Sequence, residues 1–455
     1  MSSTSVAGSA AAANTATQTR KRYLVLAMIF LVTTINYADR ATLSIAGPAL
    51  SKELGIDTVT MGFVFSAFGW SYVLAQLPGG WLLDRFGSQR VYFFSILLWS
   101  LFTMMQGAIG FLASTAASAV VALFTMRLLV GAAEAPSFPA NGRIVAAWFP
   151  ANERGTASAI FNSAQYFATV LFAPLMGWVT HRLGWEAVFY VMGAIGIVVC
   201  LFWGRVIHGP KEFPGINRAE LDYISAGGAL VNMDQPAARL ASKAHEGPRW
   251  DYIRQLLSNR MMMGVYIGQY CINTLTYFFL TWFPVYLVKE RGMSILNAGM
   301  VAALPAICGF AGGVLGGLIS DWLLRRGNSL TIARKVPIVI GMLMSTAMIA
   351  CNYVDSSAVV VAIMALAFFG KGLGALGWAV VSDTSPKEIS GLSGALFNTF
   401  GNTAAITTPI VIGYLVKGTG SFNAALVFVA ANAVVTVICY LLVVGEIKRF
   451  ELKKA

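Results

Sequence analysis

The sequence predicts an all-α polytopic membrane protein of twelve transmembrane helices in two six-helix bundles. Three observations carry that prediction. Of 455 residues, 57% are hydrophobic and only 11% are charged, against about 25% charged in an average soluble domain, and the mean hydropathy is +0.69. Apolar stretches long enough to cross a hydrocarbon core of about 30 Å recur along the whole length. The second half of the chain repeats the first.

Taken in order, the spans fall at 23–47, 61–83, 91–112, 116–140, 154–180, 185–207, 261–288, 296–324, 335–354, 358–382, 390–416 and 422–445. Residues 1–22 are an N-terminal tail, of which the first nineteen are rich in Ser, Thr and Ala and expected to be disordered. Arg20, Lys21 and Arg22 precede an apolar run too long for a signal sequence and without a cleavage site, so it reads as an uncleaved first span. The polar stretch 208–260, with Pro210, Pro214, Pro236 and Pro248, reads as a linker between an N-terminal bundle (23–207) and a C-terminal bundle (261–445). Residues 446–455 form a tail. Pro136, Pro139, Pro174, Pro305 and Pro409 fall inside spans, where proline kinks or breaks a helix.

The net charge of +12 is a matter of topology. Lys and Arg crowd the segments on the side of the two termini, among them Arg85, Arg90, Arg143, Arg154, Arg325, Arg326, Arg334 and the linker. The opposite loops hold Lys52, Arg182, Lys289, Arg291 and Lys417. This bias predicts that both termini and the linker are cytoplasmic, and it removes the need for nucleic acid as a partner. Cys200, Cys271, Cys308, Cys351 and Cys439 lie in apolar runs without metal-type spacing and read as packing residues.

The repeat is parallel. Gly79-Gly80-Trp81-Leu82-Leu83-Asp84-Arg85 closes the second span, and Gly316-Gly317-Leu318-Ile319-Ser320-Asp321-Trp322 closes the eighth. Pro150, Glu153, Gly155, Ser158, Phe161, Asn162 and Pro174 recur as Pro386, Glu388, Gly391, Ser393, Phe397, Asn398 and Pro409. Two such units place a site between them near the midplane.

Few charges lie within the spans, and each is a candidate. Asp39 and Arg40 stand side by side in Asn36-Tyr37-Ala38-Asp39-Arg40, where they either face a cavity or sit at a helix end in the headgroups. Arg127 and Glu134 lie seven residues apart on the fourth span, near one helix face. Arg40 and Arg127 are expected to clamp carboxylate, because guanidinium binds it in a bidentate way and stays charged. The alternative is that each merely neutralises Asp39 or Glu134. As the acids well inside the spans, Asp39 and Glu134 are the proton-carrying candidates. Lys371, in Gly370-Lys371-Gly372, lies in the other half. It either snorkels to an interface or holds the far end of a dianion. Neutral contacts to substrate hydroxyls are expected from Tyr37, Tyr72, Gln165, Asn273, Trp378 and Asn398.

GGWLLDRFGSQR, between the second and third spans, resembles the signature loop of the major facilitator superfamily. Gly80, Asp84, Arg85 and Arg90 are read there as a conformational latch, with Asp84 accepting from a helix N-terminus and the arginines supplying charge. NYADRATLSIAG, RLLVGAAEAPSFPANGRIVAAWFP, ERGTASAIFNSAQYFATV, GVYIGQYCINTLTYFFLTWFPVYL and FFGKGLGALGWAVVSDTSPKEISGLSG resemble the anion:cation symporter family, and within it the bacterial glucarate transporters. The resemblance covers all but the N-terminal tail and part of the linker. It implies proton-coupled uptake of a sugar acid, most simply glucarate or galactarate, across a bacterial inner membrane. It also implies proton-coupling roles for Asp39 and Glu134 and supports Tyr37, Tyr72, Gln165 and Asn398 as pocket residues. The expected partners are the anion, protons and lipid, with the chain acting as a monomer without a cofactor. An aldonate or glycerate remains an alternative substrate. A drug efflux pump on this fold would need fewer fixed cations. An enzyme is disfavoured because the sequence has no catalytic triad pattern and no phosphate loop.

Overall fold

The computed structural model describes residues 18–112, 115–150, 153–233, 250–386 and 389–452. Among them every regular element is helical, and twelve helices are long and apolar enough to cross a membrane. Spans 1 to 6 are Lys21–Glu53, Thr58–Phe86, Ser88–Phe111, Ala116–Trp148, Arg154–Leu183 and Trp185–Val206. Spans 7 to 12 are Arg260–Lys289, Ile295–Arg325, Leu330–Tyr353, Ser357–Thr384, Ser390–Thr419 and Asn423–Val443. Span 1 has 33 residues, about 50 Å at 1.5 Å per residue. It therefore projects beyond the hydrocarbon core, and hydropathy marks only its apolar middle.

Local chemistry sets the ends. Asp57 caps span 2 by accepting from the Val59 and Thr60 backbone N–H groups. The Thr60 hydroxyl, those N–H groups and Lys417 hold its carboxyl below the usual carboxylate range. Asn259, Ser294 and Ser329 cap spans 7, 8 and 9 in the same way. Gly87 (φ +84°) and Gly184 (φ +92°) are each the single residue between two helices. That left-handed backbone favours glycine, and it folds spans 2–3 and 5–6 into tight hairpins.

Two helices break beside their charged residues. Span 4 is interrupted after Glu134, at Ala135-Pro136, and span 10 at Gly374–Leu376, just past Lys371. Proline marks the first break as expected. The second lies in a glycine-rich stretch without proline. Span 7 widens into a π-turn at Phe278–Trp282 ahead of Pro284. Pro174, Pro305 and Pro409 lie inside continuous helices.

The halves meet mainly along span 2 against span 11 and span 5 against span 8, with span 1 also touching the far end of span 7. At the face opposite the termini, Lys417 lies 3.7 Å from Asp57, and Trp282 Nε1 donates to the Pro409 carbonyl while its ring meets Phe65 edge-on at 5.2 Å. Backbones touch there: a Cβ on Gly62 would stand 2.6 Å from the Pro409 carbonyl oxygen, and one on Gly299 would stand 2.7 Å from the Ala173 carbonyl oxygen and 3.0 Å from the Gly177 Cα. Among the described residues, the cross-half ring, ion-pair and glycine contacts stop midway, at Gly69–Ala405 and around Tyr166. Nearer the termini, Gly80 and Gly317 meet nothing within 4 Å. The halves are thus closed at the opposite face and parted on the terminal side.

The linker is partly fastened to the first half. Its helix Arg218–Ala226 carries Glu220, fully buried, which accepts from the Lys21 and Arg22 backbone N–H groups and the Thr19 hydroxyl. Arg22 bridges Glu220 (3.2 Å) and Glu153 (3.1 Å), and the Tyr223 hydroxyl donates to Glu153. This ties the starts of spans 1 and 5 to the linker.

Gly62→Val puts side-chain atoms where the Pro409 carbonyl stands. It is expected to open the seam, so that a Phe65→Cys thiol, protected in the parent, becomes reactive to a membrane-impermeant maleimide. Equal labelling with and without Gly62→Val would contradict the contact.

Candidate functional site

The five mid-span charges predicted from sequence, Asp39, Arg40, Arg127, Glu134 and Lys371, are all buried. Arg40 Nε donates to Glu134 Oε2 at 2.9 Å. Its guanidinium is boxed by the rings of Tyr37 (4.8 Å), Phe68 (4.7 Å) and Tyr72 (4.8 Å). Such rings present their electron-rich faces to a cation. Tyr37 and Tyr72 therefore hold the arginine, and Phe68, which sequence reading passed over, completes the box. One Arg40 nitrogen and Glu134 Oε1 remain without hydrogen-bond partners.

Arg127 stands behind this pair. One of its nitrogens reaches the Arg40 carbonyl at 3.5 Å, while Nε and the other terminal nitrogen have no partner. Its guanidinium lies 5.5 Å from the Phe68 ring. The alternative to the carboxylate-clamp expectation, that each arginine merely neutralises an acid, describes the contact of Arg40 with Glu134, while Arg127 forms no ion pair within 4 Å among the described residues. Asp39 is fully buried, with both carboxylate oxygens unpartnered. Its surroundings are the Trp99 indole, Arg127 and Glu134.

Lys371 lies across the midplane in the second half. Gly370 packs on Gly341 of span 9, and Gly372 on Gly309 of span 8. These flanking glycines let span 10 sit tightly between its neighbours, so the lysine is 4% exposed and does not snorkel. Its ammonium lies 5.2 Å from the Phe368 ring and 5.5 Å from that of Tyr166, with no ion pair among the described residues. Tyr166 comes from the first half and also meets Phe310 of span 8. It is the neighbour of the predicted Gln165, and only the helical register separates the two.

The neutral candidates divide. Tyr277 donates to Asn402 Oδ1 (2.9 Å), and Asn402 in turn donates to Asn398 Oδ1 (3.0 Å). Tyr277 lies within electrostatic reach of Arg40, which extends the predicted Asn398 into a chain running toward the arginine. Asn273 accepts from Gln269 (3.3 Å) and abuts Gly401. Gln165 donates back to the Asn162 carbonyl (3.2 Å). Trp378 lies past the break in span 10, 54% exposed against Phe397. It stands on the open terminal side, away from the charges.

Of the predicted latch, the Asp84 side chain lies outside the described residues. Gly80 is open, and it is Gly79 that packs closely, against Pro136. Arg85 covers the Trp81 and Phe86 rings, and Arg90 is exposed. In the repeat-related corner of the second half, Arg334 bonds Asp383 at 2.8 Å and lies 4.0 Å from Asp321.

A duplicated twelve-helix membrane protein, with buried cations on both walls of a cleft closed at one face, has the architecture of a membrane carrier. The chain belongs to the major facilitator superfamily, whose family model matches residues 29–333. It is 62% identical over 445 residues, 98% of each chain, to the "Probable galactarate/D-glucarate transporter GudP" of Escherichia coli strain K12. It is 64% identical over 437 residues to the protein of the same name from Bacillus subtilis strain 168, covering 96% of this chain and 95% of that one. Among solved structures, a bacterial homolog of the human lysosomal transporter Spinster, inward-facing and occupied, superposes with a TM-score of 0.69 at 16% identity, covering 93% of this chain and 96% of that one. At that identity the likeness speaks for the fold.

Removing one member of a buried ion pair leaves the other charge uncompensated, at a cost of about 3–5 kcal/mol. Glu134→Ala is accordingly expected to lower the thermal unfolding midpoint in detergent sharply, and Arg40→Met/Glu134→Leu to recover most of the loss. Equal destabilisation by the single and double variants would contradict a coupled pair.

Proposed function

We propose that this protein imports the dianions of galactarate and D-glucarate by proton symport, through alternating access, across a bacterial inner membrane. In this reading both termini and the linker are cytoplasmic, the cleft is open to the cytoplasm, and the chain works as a carrier and not as an enzyme. The names of the closely similar relatives support the substrate. One observation carries the reading at the residue level: Arg127 on one wall, with two guanidinium nitrogens unbonded and no ion pair within 4 Å among the described residues although Asp39 and Glu134 lie within electrostatic reach, and Lys371 on the other are buried cations with unused bonding capacity. A buried charge is costly unless something pairs it. An anion with a carboxylate at each end would satisfy both walls at once.

One substrate carboxylate goes to Arg127 and Arg40, the other to Lys371 and the Tyr166 hydroxyl. Guanidinium accommodates the first in a bidentate way. The Tyr277–Asn402–Asn398 chain, Gln165 and Asn273 offer donors and acceptors to the hydroxyls between. Trp378 belongs to the mouth of the cleft. As the carboxylate engages Arg40, it competes with Glu134 for the same guanidinium, and Glu134 takes up a proton as its pair loosens. Asp39, beside Arg127, responds in the same sense. The anion and the protons are thereby linked through shared arginines.

The charge balance leads to a further expectation. The empty site holds three bases and two acids at mid-membrane. Adding a dianion together with a proton on each acid leaves its net charge unchanged. The loaded and empty carriers then cross with equal charge, and a full cycle moves none. Uptake of D-glucarate into proteoliposomes should be driven by a pH gradient, acid outside, and stay flat when a valinomycin–potassium potential is varied. Uptake that follows the potential at fixed pH would exclude this balance.

Lys371→Ser is expected to weaken D-glucarate about 10- to 100-fold, the loss of a hydrogen bond to a charged group at 1.5–3 kcal/mol. A monocarboxylate competitor such as gluconate should change little. Equal loss for both acids would remove Lys371 from the role of second clamp.

A further inference from the structure

Asp39 and Arg40 are adjacent in sequence, but a helix turns about 100° per residue, so they leave span 1 on different sides. Arg40 points into the ring box of Tyr37, Phe68 and Tyr72. Asp39 points into the first half, toward span 3. The charged groups facing it are Arg127 and Glu134 of span 4, and span 3 presents the Trp99 indole. Beyond Trp99, the same buried side of span 3 continues with Thr103 and Gln106, spaced four and three residues apart, with Ser100 beside them. That spacing keeps them on one helix face. All four are at most 1% exposed; the Trp99 N–H faces Asp39, the Gln106 amide nitrogen donates to the Phe102 carbonyl at 3.4 Å, and Ser100 Oγ, Thr103 Oγ1 and Gln106 Oε1 each lack a hydrogen-bond partner.

A packing role alone does not account for this row. An unsatisfied buried polar group is destabilising, and apolar residues of similar size would fill the same space without that cost. A continuous polar stripe inside a membrane bundle is suited to holding a file of water. Its direction is informative. Gln106 is the last residue of its helix, Gly107 packs on the Glu186 backbone at the start of span 6, and Phe111, one turn on, is 80% exposed. The stripe therefore leads from Asp39 to the face where the halves are closed, about 10 Å along the axis from Trp99 to Gln106.

We propose that Asp39 exchanges its proton with the face opposite the termini through this seam along span 3, apart from the substrate cleft, with Trp99, Thr103 and Gln106 as its positioning residues. The inference rests on the proton-symport reading and adds a route to it. Protons and substrate reach the site by different paths. The Trp99 N–H is placed to donate to the ionised Asp39 carboxylate, and the Thr103 hydroxyl and Gln106 amide hold the file that supplies it.

The test uses the full-length protein in proteoliposomes with D-glucarate, comparing pH-gradient-driven uptake with counterflow at equal pH, which needs no net proton movement. Thr103→Val/Gln106→Leu is expected to slow driven uptake about tenfold, a modest loss for a proton-transfer path, while leaving counterflow near the parent rate. Ser95→Ala, one turn before Trp99 on the same buried face but on the terminal side and so off the proposed route, serves as the control and should match the parent in both assays. Trp99→Phe removes a donor to the ionised form, so the pH profile of driven uptake should move up by about one unit. Driven uptake and pH profile both unchanged in these variants would overturn the seam. Parallel loss of driven uptake and counterflow would also overturn it, in favour of a structural role. A parent protein that accumulates D-glucarate without any response to the pH gradient would overturn the symport reading, and this inference with it.

Discussion

The structure depends on a buried ion pair between the first and fourth spans. Arg40 and Glu134 come from helices far apart in sequence, and neither would be tolerable alone in the bilayer interior. Their contact fixes span 1 against span 4 and orients Arg40 so that three rings can close around it. It also leaves Arg127 with Asp39 nearby but without a hydrogen-bonded acid, two of its nitrogens being unpartnered. The site's appetite for anions follows from this uneven sharing: two arginines stand near one another, and the nearer carboxylate is committed to one of them.

The repeat sharpens the asymmetry. Glu134 and Lys371 stand 237 residues apart, the spacing that separates the two glycine–aspartate motifs, and each lies just before the break in its span. The duplicated position carries opposite charge in the two halves. At the same spacing, Arg40 corresponds to Tyr277, a cation on one side and a neutral hydroxyl on the other. One half thus holds a self-paired, titratable cluster and the other a lone ammonium. The fold is symmetric while the chemistry is divided, with two buried carboxylates and two arginines on one wall and a single ammonium on the other.

Much of this was legible in the sequence, because the bilayer imposes harsh rules. Twelve apolar runs, the charge bias of the loops and the duplicated motifs define the fold, and the scarcity of mid-span charges exposes Asp39, Arg40, Arg127, Glu134 and Lys371. What stayed hidden is set by rotation and contact. Whether Arg40 or Arg127 takes Glu134 depends on helix crossing. Tyr166 rather than Gln165 meets Lys371, because one residue of register turns the side chain by about 100°. Phe68 and Tyr277 carry no charge to draw the eye among many aromatics. Trp378 reads as a pocket residue because its amphipathic ring lies inside an apolar span, yet it stands past the break at Gly374–Leu376 and is 54% exposed on the terminal side. At the latch, two adjacent glycines cannot be told apart by sequence, and only packing singles out Gly79.

The closed seam at Gly62–Pro409 and Gly177–Gly299 brings backbone against backbone. Side chains between helices leave crevices that fluctuate, and water follows them. Bare main chain in contact leaves almost none. For a membrane carrier this bears on leakage: between helices sealed in this way little water or solute slips through the idle molecule, where a loosely packed gate would let both pass continuously.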